Sequence, residues 1–460
     1  MSSVEQVFGK IPTPPPGSKP SRPFEPTEPS EQPHKPTDDE LGEQLMLRWG
    51  DMVKFIYGGW NRYAEGVWKP DAKMPLEFWQ VLIDNKRNGI KPNAGKASSV
   101  EKFCQLKAMV DDQDIDAGGD YINLKNGVFN LKTGELEDHR PDLYMTTQLD
   151  FEYDPEAVCL TWLKFLKQVL VKPDGSPDWE LQVLVQQAFY YSLTADTSYR
   201  VSFWLVGASG TGKSTLLNVL IKMAGDSHVA IDLDSLKDNQ YQLADIAGKR
   251  VVTFTEPDSR APLADGWYKR LVSKDTISAR QAYGRPFNFV PICKVWGAMN
   301  DTPRVVDRSD AVFGRVIIIP MNRVVPAKER DGLLDEKLLA ELPGIFNWAL
   351  VGASQLRRHG GFIQAHQSEE ARDEYRSEND AEGLYISERC TLSPELRTTN
   401  DDLYQSYKAW CDENGYMAKQ KPRVGKDWKR LGLVQTKSGD GSKRIWKGIG
   451  LNQVGDLWKK

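Results

Sequence analysis

The chain has 460 residues, 40% hydrophobic and 27% charged, with a net charge of −4, so it has length for two to four domains and any nucleic-acid surface must be local. No apolar stretch approaches the roughly 18 residues of a membrane span, and no signal-peptide core opens the chain. Its five cysteines and five histidines are scattered, with no Cys-x-x-Cys pair; this argues against a zinc site or disulfide framework and fits a reducing cytoplasm.

Residues 1–38 carry ten prolines, from Pro12 to Pro36, among polar residues. Such a stretch cannot bury enough apolar surface to offset its ordering entropy and reads as a disordered tail. Residues 39–195 are mixed α+β and rich in aromatics. Residues 41–49 have a helical look, and residues 55–63 and 66–70 resemble a short hairpin with Ala64 and Glu65 near its turn. Residues 122–136 alternate strand-like runs with Asn-Gly and Thr-Gly turns. Residues 161–170 and 179–193 carry apolar residues at helical spacing. No catalytic constellation stands out in this region.

Residues 196–355 contain four apolar strands, at 201–206, 251–255, 293–299 and 316–320, separated by helical or loop segments. That is an α/β pattern with a largely parallel sheet. After the first strand comes Val206-Gly207-Ala208-Ser209-Gly210-Thr211-Gly212-Lys213-Ser214-Thr215. This is a P-loop: the glycines turn backbone N–H groups toward phosphates, Lys213 reaches the β/γ oxygens, and the Ser214 hydroxyl can hold Mg²⁺. The implied ligands are ATP and Mg²⁺. The second strand ends in Glu256, placed to orient the lytic water and the Mg²⁺ shell, with Asp258 as a possible assistant. The third ends in Asn300, which can bond the γ-phosphate or the water, although an Asn before a turn is also a common cap. Arg315 precedes the fourth strand and can be offered in trans to a neighbour's γ-phosphate, with Arg308 as its competitor. A trans arginine requires an oligomer with ATP at subunit interfaces. Between Glu256 and Asn300, two β-like runs flank Tyr283-Gly-Arg285-Pro. With Lys274 and Arg280, this forms a basic hairpin that could grip a phosphate backbone, or a plain surface hairpin.

Residues 356–384 read as a helical linker and 385–460 as a small basic domain. From Lys419 to Lys447, ten lysines and arginines face Asp427 and Asp440 alone. A helix at 400–410, a shorter one at 424–431 carrying Lys426, Lys429 and Arg430, and a hairpin follow the layout of a winged helix. Charge on a helix and a hairpin tip together favours nucleic-acid contact over a merely solvated basic face.

The order of these elements resembles superfamily 3 helicases, and more closely the phage and plasmid primase-helicase group with its poxvirus relatives. The matching residues are 207–215, Gly248 to Glu256, Asp275 to Arg280, Asn300 to Pro303, and Phe313 to Pro320. Residues 122–136 are similar to the group's helicase-associated domain, and residues 403–450 to its winged helix. The resemblance implies an AAA+-type core in a homo-oligomeric ring, usually a hexamer, moving 3′ to 5′ on single-stranded or forked DNA in a bacterial host's cytoplasm. It assigns Lys213, Ser214 and Glu256 to ATP and Mg²⁺, Asn300 as sensor, Arg315 as finger, and Arg280 and Arg285 to DNA. Two departures stand out. Many members carry adjacent acids at the second motif, whereas Thr255 precedes Glu256 here, so the metal shell leans on Ser214 and water. No primase catalytic domain is visible, so priming would need a separate primase or polymerase. The main competitor is an origin-binding initiator or loader that melts DNA without translocating.

Overall fold

In the computed structural model, which describes residues 34–232, 240–254, 265–281, 286–303, 305, 312–416, 418–439, 441 and 443–452, the first helix begins at a capping box. The Glu40 N–H donates to Thr37 Oγ1 at 3.2 Å, and the Thr37 N–H donates to Glu40 Oε2 at 2.8 Å. The chain divides into two compact units, Met1–Arg48 with Pro75–Cys104, and Trp49–Met74 with Gln105–Lys460. The first is helical, drawn from α1 (Asp38–Trp49), α2 (Met74–Asp84) and α3 (Ala94–Ala108). Leu41, Leu45, Phe78, Val81, Leu82 and Val100 are buried in it. Asp38 pairs with Lys96 at 2.7 Å and Arg48 with Asp84 at 3.3 Å.

The second unit opens with an antiparallel meander, β1 (Val53–Ile56), β2 (Gly59–Ala64) and β3 (Val67–Pro70). Its turns are Tyr57-Gly58 and Glu65-Gly66, all four residues at positive φ (48°, 72°, 51° and 81°). Two consecutive left-handed residues twist as the flanking strands do, which keeps both hairpins tight. The sequence suggested one hairpin here; the structure has two. A second meander follows, β4 (Tyr121–Leu124), β5 (Gly127–Asn130) and β6 (Glu135–Glu137), and then helices α4 (Leu160–Val169) and α5 (Trp179–Leu193).

The central sheet is built from β7 (Ser202–Val206), β8 (His228–Ile231), β9 (Val251–Phe254), β12 (Lys294–Met299) and β13 (Val316–Pro320). All are parallel, in the order β13-β7-β12-β9-β8. Four of these strands were legible as apolar runs. The fifth, β8, is a four-residue edge strand with a single buried residue, Ile231, so it lacks the hydrophobic signal of its neighbours. Side chains alternate across the sheet as the two-residue period requires. Phe203, Leu205, Val251, Trp296 and Ile319 enter a core with α4, α5, α6 (Lys213–Ala224) and α10 (Leu342–His359). Trp204, Val252, Val295 and Ile318 enter a second core on the other face. That core takes in α8 (Asp265–Val272), the hairpin of β10 (Ile277–Arg280) and β11 (Pro286–Phe289), and Tyr375 of α11 (His366–Glu378). Two short helices, α7 (Gln240–Ala244) and α9 (Leu334–Ala340), complete the set around the sheet.

The C-terminal segment holds α12 (Ala381–Arg389), β14 (Cys390–Thr399), α13 (Asn400–Glu413), α14 (Lys421–Arg430), β15 (Val434–Lys437) and β16 (Arg444–Leu451). The sheet order is β14-β16-β15, all antiparallel. Trp410, Trp428, Trp446, Tyr385 and Tyr407 fill its core. Both expected helices and the hairpin are present, and β14 adds a strand that the sequence did not suggest; its exposed Leu392 and mostly unburied pattern give no alternating apolar signal.

Candidate nucleotide site

Strand order reverses around β7, which lies between β13 and β12. The carboxyl ends of strands at such a switch point leave a crevice for a ligand. The chain leaves β7 there through Gly207, Gly210 and Gly212, at φ 157°, 82° and 94°. Gly207 has no room for a side chain, since a Cβ would lie 2.1 Å from the Met321 carbonyl oxygen. Gly212 packs on α4, with a Cβ position 3.0 Å from Val169 and 3.2 Å from Phe165. Thr211 Oγ1 donates to the Ala208 carbonyl at 3.0 Å and steadies the turn. No side chain caps the first turn of α6, so its N–H groups and the positive end of its dipole face the crevice.

Lys213 is 8% exposed. Its Nζ donates to the carbonyls of Gly207 at 2.5 Å and Ala208 at 2.7 Å, and to Asn300 Oδ1 at 3.1 Å. Thus the lysine of the first strand's turn and the amide at the end of β12 meet, 87 residues apart in sequence. Ser214 is exposed at the mouth of the turn, beside half-buried Thr215, while Ser209 sits on the exposed tip.

The cavity over this cradle has a volume of about 990 Å³. Two of its walls carry residues that the motifs did not mark. One is α4, contributing Thr161, Lys164, Phe165 and Gln168. Glu341 holds the start of this helix, accepting from the Thr161 and Trp162 N–H groups at 2.9 Å each. The other wall is the segment after β13. It braces the cradle through Met321 N–H to Val206 O (2.7 Å) and Val325 N–H to Gly210 O (3.0 Å). Its Arg330 Nε donates to Val325 O at 3.0 Å, and Nη2 lies 3.1 Å from where a Cβ on Gly210 would stand. A second cation therefore overhangs the glycine turn. In sequence it is one charged residue in Lys-Glu-Arg-Asp-Gly, with nothing to separate it from a solvated loop.

Other predicted residues lie elsewhere. Arg315 enters β13 at its amino end, since Val316 stands opposite Ser202 and Pro320 opposite Val206. At about 3.3 Å per residue it sits roughly 15 Å or more from its own chain's cradle. Lys274 is exposed beyond α8, and Arg280 is exposed at the end of β10, opposite Pro286. Lys426, Lys429 and Arg430 are exposed on α14, whose Val424 and Trp428 are buried. Glu256, Asp258, Arg285 and Arg308 lie outside the described residues. Among the described residues no group of three or more His, Cys, Asp or Glu could hold a metal ion, and no helix is long and apolar enough to cross a membrane.

The amino edge of the same sheet carries two buried cations. Arg250, before β9, donates to Leu193 O at 2.5 Å and Tyr121 O at 3.0 Å, and burial draws it down to about 10. Lys294, at the start of β12, donates to Thr194 O at 2.5 Å and Ile292 O at 3.1 Å, with Nζ 4.7 Å from the Tyr191 ring centre. Burial pushes its ammonium well below the usual lysine range. Leu193 ends α5, so these cations also meet the negative end of a helix.

Parts of the chain are similar to known proteins. The family described as D5 N terminal like matches residues 44–171, a span that includes α4. A family described as being of unknown function (DUF5906) matches residues 205–315, from the cradle to Arg315. The protein named "Putative helicase L207/L206" of Acanthamoeba polyphaga mimivirus is 24% identical over 332 residues. That alignment covers 66% of this chain and 34% of the relative, so the chain spans about a third of the relative's length. The apo structure of the NrS-1 C-terminal region has a TM-score of 0.50 at 13% identity, covering 90% of this chain and 99% of that one. This last likeness is one of fold. Through its match to the D5 N terminal like family and to the mimivirus relative, the chain resembles the phage and viral primase-helicases.

Proposed function

We propose that the chain is an ATP-driven DNA helicase of the phage or viral primase-helicase type, working as a homo-oligomeric ring. The observation that carries this reading is the meeting of Lys213 and Asn300 over an uncapped helix start, inside a cavity large enough for a nucleotide. The order of the parallel strands, numbered by sequence as 5-1-4-3-2, supports an AAA+-type core.

The residues fit ATP. Lys213 holds two backbone carbonyls and one amide, all of which it can exchange for β/γ oxygens. Backbone N–H groups of 208–213 bond the phosphates, Arg330 adds a second positive charge, and Asn300 orients the water or the γ-phosphate. Ser214 and Glu256 would hold Mg²⁺, which would neutralise part of the triphosphate charge. Phe165 and Leu334 give the base an apolar wall. The distance of Arg315 from its own cradle supports a role at a neighbour's site, and hence a ring with shared ATP sites. Lys274, Arg280 and Arg285 would track one DNA strand, and the C-terminal segment, read as a winged helix, would hold duplex or fork through Lys426, Lys429 and Arg430.

Strand displacement tests the proposal. Duplexes tailed at either the 3′ or the 5′ end are incubated with the chain and ATP. ATP-dependent release from the 3′-tailed substrate is expected. ATP hydrolysis and DNA melting without release of a long duplex would favour the initiator or loader reading.

A further inference from the structure

The hairpin, α8 and the turn that delivers Arg315 share one hydrophobic cluster. Tyr268, Ile277, Phe287, Phe289, Val312 and Phe313 all belong to it. The end of α8 is tied to the chain entering the hairpin, because Arg270 Nη2 donates to Thr276 O at 3.3 Å. In the middle of this apolar mass lies a polar chain. Tyr268 is fully buried, and its hydroxyl stands 2.5 Å from Ser202 Oγ. Ser202, the first residue of β7, is also fully buried, and its Oγ reaches the Arg315 carbonyl oxygen at 3.4 Å. The Arg315 N–H is held by Val312 O at 2.9 Å.

Packing explains the Tyr268 ring, which fills the cluster and meets Trp204 at 6.0 Å between centres. It does not explain the hydroxyl. Phenylalanine would fill almost the same space without burying an O–H that must then find a partner. Burial raises the Tyr268 phenol well above its usual value, and the Ser202 hydrogen bond and the charge of Arg315 act in the opposite direction. Arg315 thus stands close enough to Tyr268 to be felt electrostatically, while its backbone is reached through Ser202.

We propose that Tyr268 is a positioning residue for Arg315: through Ser202 it fixes the backbone from which the guanidinium is offered to a neighbouring subunit's triphosphate, and through α8 it ties that backbone to the β10–β11 hairpin. A load on the hairpin then reaches the finger through one buried hydroxyl pair. The proposal rests on the ring reading above.

The test is complementation by the full chain. Tyr268→Phe keeps the ring and loses only the hydroxyl; Ser202→Ala removes the other partner, and Ser202→Thr keeps a hydroxyl. For Tyr268→Phe and Ser202→Ala, kcat for ATP with DNA present should fall about tenfold with KM within about twofold, because the lost interaction acts in the transition state. Ser202→Thr should retain turnover. Lys213→Ala has a dead cradle and an intact finger. Mixed with it, Tyr268→Phe should regain turnover; mixed with Arg315→Ala, it should not. Unchanged kcat, or recovery with Arg315→Ala, overturns the proposal. If Tyr268→Phe melts at a lower temperature and is inactive, Ser202→Ala carries the same two mixtures. Mixing Arg315→Ala with Lys213→Ala reports on the ring separately. No recovery there contradicts the shared site, whereas recovery there with a failed Tyr268 pattern contradicts this proposal alone.

Discussion

Two buried lysines at opposite edges of the central sheet show what would separate a binding group from a structural one. Lys213 stands at the carboxyl edge and Lys294 at the amino edge, 8% and 1% exposed. Both donate to backbone carbonyls at hydrogen-bond distance. What differs is the far side. Lys294 is closed in by Tyr191 and the end of α5, so nothing can replace its carbonyls. Lys213 opens on a cavity of about 990 Å³ and shares its third contact with Asn300. A buried cation on carbonyls is therefore not a site by itself; it becomes one where an anion can enter and compete for it.

The largest effect that would sharpen this contrast is at Lys213. For Lys213→Ala, ATP turnover should fall by at least about 10²–10³-fold, the scale of losing one transition-state donor. Circular dichroism should be unchanged, and near-normal hydrolysis would remove Lys213 from the site. Arg330→Ala comes next, read by nucleotide titration. Losing a charged partner of the phosphates should weaken ATP binding about tenfold, or ~1.4 kcal/mol. Equal affinity would mean that the overhanging cation belongs to the loop alone.

Lys294→Met should do the reverse of Lys213→Ala. It leaves two buried carbonyls without a donor, for a loss of about 1–3 kcal/mol of stability, seen in denaturant titration. Turnover well below the melting range should stay within about twofold of wild type. The pH dependence has a definite sign. The fold depresses the ammonium's pKa, so the unfolded chain binds more protons in the window below the free lysine value. Stability from this group therefore rises with pH through that window, and the wild-type advantage over Lys294→Met should widen as pH climbs. A gap that narrows would mean that the charged form is favoured in the fold. The smallest effect is on α14, where Lys426→Ala or Lys429→Ala should weaken DNA binding whatever the sequence and reduce the salt slope by about 1 each. An unchanged slope would take that lysine off the phosphate backbone.

The carboxyl edge was legible in the sequence because its chemistry is local. Phosphate binding needs a strand, a glycine turn and a helix start in succession, and residues 201–215 supply them in order. Asn300 could be named because strand ends on one edge converge in a parallel sheet. Arg330 and the α4 wall were not legible, since a cation and a core helix acquire meaning only when folding brings them beside the cradle. The amino edge hid for the same reason: Gly248-Lys-Arg250 matched a family motif, yet Arg250 is held by Leu193 and Tyr121, 57 and 129 residues away. The β8 edge strand escaped because the apolar residues of a four-residue strand are too few to set a period.

The rate of ATP hydrolysis with and without single-stranded DNA, for the wild-type chain beside Lys213→Ala, decides whether this cradle drives work on DNA. Turnover should be accelerated by DNA in the wild type and lost with and without DNA in Lys213→Ala. Hydrolysis indifferent to DNA, or surviving the loss of Lys213, would contradict this.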